Sequence, residues 1–216
     1  MCSISGRTSR TGRTGRPRSA EADQAILDAT RAALVELGWG KLTMGDVAAR
    51  AGVAKTTLYR RWANKNELVV DAVAILFDEL ELPDRGDLQA DIEDVVLQFG
   101  ALLERPETKT ALMAVVAEST RDEVLRTRIR SAIVDRQKRL VLLGRERAQA
   151  RGELPPDAPG TEGAAAAARA VDLIFDVAAG AVVHRSLVSG ERVDENWARD
   201  FTAVLLCGLG AVGRPD

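Results

Sequence analysis

The stretch GVAKTTLYRRWANK, residues 52–65, gathers Lys55, Thr56, Thr57, Tyr59, Arg60, Arg61 and Lys65 into one short segment. Ammonium, guanidinium and hydroxyl groups donate hydrogen bonds to phosphate oxygens, and Lys and Thr also reach base edges. With a helical period starting near Ala54, Lys55, Thr56 and Thr57 fill the first turn, and Tyr59 and Arg61 follow on nearby exposed sides. Leu58 and Trp62 stand four residues apart on the opposite side, which places Trp62 in a core rather than on a base. A solvated basic face is the plainer reading of any such patch.

The charge balance of the whole chain argues for the sharper one. The net charge is −2, yet residues 1–70 carry 12 Lys and Arg against 6 Asp and Glu, while the remainder carries 18 against 26. A basic front joined to an acidic rear suits a polyanion-binding module attached to a part with a different partner. Composition otherwise fits a globular chain: 46% hydrophobic, 29% charged, and only 4% aromatic, which favours helices over sheets. Cys2 and Cys207 lie far apart and form no disulfide or metal-ligand spacing. No signal-peptide core opens the chain, and no apolar run reaches the ~18 residues of a membrane span, so a soluble cytoplasmic protein is expected.

Several elements must hold the basic segment in place. Residues 1–19, with Arg7, Arg10, Arg13, Arg16 and Arg18 among Gly, Ser and Thr, read as a disordered basic arm. It is either a tail without a role or an arm lying along phosphates or a minor groove. A helix is expected from a cap at Ser19, with Ala22, Ile26, Ala29, Ala33 and Leu37 on one face and a stop at Gly38. Thr43 followed by Asp46 is close to a capping box for a second helix, and Gly52 ends it where a left-handed residue is needed. The basic segment restarts as a third helix, and Asn64 or Asn66 caps a fourth over about residues 65–80. Two short helices joined by a tight Gly-containing turn make a helix-turn-helix outline.

LTMGDVAARAGVAKTTLYRRWANKNELV, within residues 20–72, closely resembles the DNA-binding domain of the TetR family of transcriptional repressors. The turn Gly52, the Leu58-Tyr59 pair and Lys65 carry the resemblance. It implies an all-α protein with an N-terminal three-helix DNA-binding domain over 20–72 and a C-terminal effector-binding and dimerisation domain over 73–216. It also implies a homodimer released from double-stranded operator DNA by a small molecule. Base contacts transfer to Lys55, Thr56 and Thr57, and phosphate contacts to Thr43, Tyr59 and Lys65. Arg61 stands where members often carry His, and should strengthen phosphate binding. A regulator without an effector, or an activator, remains the alternative.

The rear of the chain also reads as helices. Val124, Ile129, Ile133, Leu140 and Leu143 mark the buried stripe of a long one. Phe77, Phe99, Leu103, Met113, Val116, Leu140 and Phe175 are the large side chains available to line a cavity, which would suit a hydrophobic or amphipathic effector. The last two helices, rich in small residues, form an apolar hairpin suited to a twofold four-helix bundle, with Ala181, His184, Phe201 and Leu205 expected at the interface. His184, the only histidine, has no Ser or Cys partner for catalysis. The acidic pairs Glu93/Asp94 and Asp122/Glu123 lie on exposed phases, and neither GxSxG nor a Walker-type loop occurs. No cofactor, no metal and no enzymatic activity are expected.

Overall fold

The computed structural model describes residues 17–212, with side chains from Ala20 to Gly208. Every regular element among them is helical: α1 (Pro17–Lys41), α2 (Met44–Arg50), α3 (Lys55–Tyr59), α4 (Lys65–Phe77), α5 (Leu88–Glu104), α6 (Pro106–Ser119), α7 (Glu123–Ile129), α8 (Asp135–Ala150), α9 (Gly160–Val183) and α10 (Glu195–Val212). α1 starts at Pro17, so Ser19 lies inside its first turn and is not its cap, and Pro17–Ser19 belong to the helix rather than to the expected arm. The arginines at 7, 10, 13 and 16 lie outside the described residues. Gly38 breaks α1 as expected, at φ 72° and ψ 168°.

Local chemistry sets most helix ends. Thr43 caps α2, Asn64 caps α4, Asp87 caps α5 and Asp122 caps α7, each side chain accepting from a backbone N–H three residues on. Pro106 starts α6, and it closes α5 one residue earlier by barring helical geometry at Arg105, which has φ −65° and ψ 128°.

α1 packs on α4 and α6, and α4 packs on α6 and α7. Ile26, Ala33, Leu34, Leu58, Leu68, Val69, Val70 and Val73 are almost wholly buried, so the front helices share a core with α4. α4 runs unbroken through residues 72 and 73 and therefore belongs to both halves of the chain. Asp71 fixes its relation to the neighbours: its carboxylate accepts from Trp62 Nε1 at 2.8 Å and from Arg128 Nη2 of α7 at 2.7 Å.

Behind α4, α5 packs against α8, α9 and α10. Asp91, fully buried in α5, accepts from Arg85 N at 2.6 Å and from Arg151 Nη2 at 3.0 Å. Arg151 also holds Asp84 and Glu153, clamping the α4–α5 loop to the end of α8. The bonds it donates to Glu153 and, next in weight, to Asp91 stabilise the charged guanidinium and raise its pKa.

α7 and α8 form one long rod interrupted by a π-helical turn, Arg130–Val134. The extra residue of that turn resets the helical phase. Leu125, not Val124, takes the inward position: Val124 is 72% exposed and falls outside the expected stripe. Ile133 is buried, and Ile129, Leu140 and Leu143 are partly buried. α9 likewise passes through a π turn, His184–Ser189, and stops at Gly190 with φ 69°.

Candidate nucleic-acid interface and effector cavity

The α2–α3 unit is built from its caps inward. Thr43 Oγ1 accepts from Asp46 N at 3.2 Å, while Thr43 N and Oγ1 donate to Asp46 Oδ2 at 3.0 and 2.6 Å. These bonds, the hydroxyl's before the N–H's, hold the Asp46 carboxyl below its ordinary pKa, with smaller help from Lys55 and Arg50. Gly52, at φ 65°, ends α2 and lets Val53 N donate back to Ala48 O at 3.0 Å. α3 follows at once. Leu58 is fully buried and Trp62 is 5% exposed, its indole N–H spent on Asp71.

What remains outward is Lys55, Thr56, Tyr59 and Arg60, with Thr57 half-buried beside them. Lys55 and Thr56 therefore stand at the leading end of α3, free of the core, and Tyr59 is 54% exposed. The Lys55 side chain crosses Gly45 of α2 so closely that a Cβ there would meet its Cε at 2.9 Å.

The other expected phosphate contacts also have partners inside the protein. Arg61 is turned toward α1, where its Nε pairs with Asp23 at 2.5 Å, instead of standing on an exposed side. Lys65 donates to Trp39 O at 2.9 Å, with its ammonium 4.5 Å from the Trp39 ring centroid. Thr43 is exposed, with its hydroxyl proton committed to Asp46. The exposed guanidinium of this segment belongs to Arg60, whereas the helical spacing puts Arg61 on the exposed side.

A cavity of about 130 Å³ lies between α4, α5, α8, α9 and α10. Of the candidates, Phe77, Phe99, Leu140 and Phe175 line it, with Phe77 and Phe99 tilted at 58° and 5.8 Å between centroids. Three expectations are corrected. Met113 and Val116 are 49% and 48% exposed, because α6 buries Thr108, Ala111, Leu112 and Val115 and turns its other face outward. Leu103 is buried in the core and does not line the cavity.

Leu205 is a fourth correction, because it lies inward on the cavity wall rather than at an outer interface. His184 is exposed, with Nδ1 3.4 Å from Ser189 Oγ, and Ala181 and Phe201 are partly exposed. Phe201 stacks on Trp197 at 5.0 Å. Among the described residues no group of three His, Cys, Asp or Glu is placed to hold a metal, and no helix is long and apolar enough to cross a membrane.

Two short helices held at a tight turn, with an apolar rear and a polar leading end, define a helix-turn-helix transcriptional regulator. Residues 26–72 match the family described as bacterial regulatory proteins, tetR family, and residues 82–205 match the tetracyclin repressor-like C-terminal domain. The chain belongs to the TetR family, whose members are DNA-binding transcriptional regulators and not enzymes. It is 30% identical over 191 residues to the DNA-binding transcriptional repressor TetR of Mycobacteroides abscessus, covering 84% of this chain and 90% of that one. The crystal structure of the TetR family regulator SCO0332 superposes with a TM-score of 0.69 at 28% identity, covering 87% of this chain and 98% of that one. FadR from Bacillus subtilis, solved in complex with stearoyl-CoA, shares the fold at 17% identity and a TM-score of 0.60, covering 85% and 97%.

Proposed function

We propose that the protein is a homodimeric repressor that holds a palindromic operator and lets go when a small molecule fills the cavity beside α4. The observation that carries this reading is the split of α3: Leu58 buried, Lys55, Thr56 and Tyr59 exposed. Lys55, Thr56 and Thr57 read base edges in the major groove, Lys55 donating to guanine and the threonines bonding bases or packing a methyl on thymine. Tyr59 and the exposed Arg60 bind phosphates and set the register. Arg61, Lys65 and Thr43 hold α1, α2 and α4 in the arrangement that presents them, and Lys65 keeps further N–H groups for a phosphate.

Release follows from the position of α4. Phe77, its last residue, lines the cavity, while Asp71, less than two turns earlier, grips Trp62 just after α3. A ligand that moves the end of α4 therefore moves the recognition helix, and in a dimer this changes the separation of two such helices. Support for a small-molecule effector comes from the cavity and from FadR, a fold neighbour solved with stearoyl-CoA.

Selection of bound DNA from a random pool tests the reading. The expected product is a palindrome with half-sites about one helical turn or more apart. Binding to it should fall steeply with salt, because releasing counterions into a more concentrated solution gains less. Lys55→Ala should relax base preference within each half-site, whereas Tyr59→Phe should weaken all sequences alike. Binding indifferent to salt, or a selected site without symmetry, would overturn it.

A further inference from the structure

Gln137, on α8, is an uncharged polar side chain in a mostly apolar wall. It lines the cavity and is only 9% exposed. Its Nε2 donates to the Phe77 carbonyl at 2.8 Å. A carbonyl oxygen can only accept, so the amide orientation is settled by that bond: nitrogen on Phe77, Oε1 turned away from it. Oε1 is buried and has no hydrogen-bond partner. A buried amide oxygen left unpaired costs more than an ordinary hydrogen bond gains, so the site favours whatever brings it a donor. The neighbouring walls, among them Phe77, Phe99, Ile133 and Phe175, have none to offer. Arg145, also at the cavity, is paired with Asp157.

We infer that the cavity takes an uncharged molecule of about phenol size, whose one hydroxyl or N–H group donates to Gln137 Oε1. The inference rests on the effector reading above and narrows it to a chemical class. Size follows from the 130 Å³ volume, since an apolar cavity of roughly 150 Å³ accommodates benzene. Polarity follows from the orphaned acceptor of a residue that lines the cavity: Oε1 has no accessible surface as it stands, so the ligand's donor reaches it by displacing the atoms packed over it. A carboxylate is disfavoured because its lone pairs would face those of Oε1 and the nearby guanidinium is already neutralised. The same amide links ligand to helix: a donor on Oε1 polarises the amide and strengthens the Nε2 bond to Phe77, the residue that ends α4.

Calorimetric titration of the full chain with phenol, anisole, toluene and benzoate tests this, with operator release by each followed in parallel by fluorescence anisotropy. Phenol should bind at least about tenfold more tightly than anisole, which has the ring and oxygen but no donor. Gln137→Leu should erase that preference while still binding toluene, with circular dichroism confirming the fold. Equal binding of phenol and anisole by the native chain would overturn the inference without any variant. So would tighter binding of benzoate, absence of binding by all four, or a phenol preference that survives Gln137→Leu. The two readings fail separately. Phenol preference without operator release sinks the release mechanism and leaves the ligand class standing; release by toluene as readily as by phenol does the reverse.

Discussion

Asp46 shows how one carboxylate can both build and present the DNA-facing unit. It accepts from the Thr43 hydroxyl and N–H, and those bonds lower its pKa from the ordinary value of 3.8. A carboxyl that is more acidic in the folded chain adds stability wherever it is ionised. That contribution is fully present above the unfolded value and is lost as pH falls through the lowered folded value. Thr43→Ala should cost about 1 kcal/mol at neutral pH, the usual worth of an N-cap. The deficit should shrink in acid, as Asp46 protonates in the native chain and the bonds it accepts from Thr43 lose their charge assistance. Urea unfolding of both chains at about pH 7 and about pH 2.5 measures this, and an unchanged gap would show that the reciprocal cap does not govern α2. Such a pair was legible in the sequence because its partners are three residues apart. Arg61 and Lys65 were not: their partners, Asp23 and Trp39, come from α1, and no local spacing announces them.

Element by element, the same distinction between near and far recurs. The turn at Gly52 follows from adjacent residues and stands where spacing puts it; Asn64 takes the cap that spacing leaves open between it and Asn66, and the α5–α6 break at Pro106 is equally local. The face α6 turns outward depends on where α1 and α4 lie, so Met113 and Val116 could not be told from cavity residues. Gln137 sits in a run of charged neighbours and looks solvated until α8 is docked on α4. Gly100 carries another tertiary signal. It is buried in mid-helix on α5, and a Cβ there would fall 2.5 Å from Val193 Cβ. Gly100→Ala should destabilise by about 1–3 kcal/mol despite alanine's better helix propensity, and Val193→Ala should restore much of the loss. A denaturant midpoint that rises in the single variant would refute the close approach. Asp71 and Arg128 mark the contact between α4 and α7, with bonds of 2.7 and 3.2 Å. Arg128→Met leaves Trp62 its acceptor, so operator affinity should stay within about threefold while effector-driven release weakens severalfold, as expected for residues that carry coupling. Loss of operator binding equal to that of Lys55→Ala would place Arg128 in the DNA-binding machinery instead.

For the molecule as a whole, the question is what covers α9 and α10. Leu173, Val177 and Val204 are 49%, 42% and 72% exposed, and Gly180, Ala203, Cys207 and Gly208 lie open around them. On α9 residues 173, 177 and 180, with 184 opening the π turn that follows, recur at helical spacing; on α10, residues 197, 201, 204 and 208 do the same. Two apolar stripes with small residues between them permit close approach of an identical pair, and a twofold axis makes the contact self-complementary. This is the physical ground for expecting a dimer. A charge placed in each stripe, Val177→Glu with Val204→Glu, sets like charges together across such an axis and strands them away from water. Light scattering should give twice the chain mass for the native protein at micromolar concentration and a single chain mass for the variant. The variant's helix content should hold, because both positions face away from the core. Operator affinity should then fall by about a hundredfold or more, since each half-site must be bound without the effective concentration its tethered twin supplies. The slope of affinity against salt should drop toward half, as half the phosphates are neutralised in each event. A native chain that remains single, or a charged variant that stays paired and keeps its operator, would remove the basis for a twofold reader of DNA and leave each α3 to act alone.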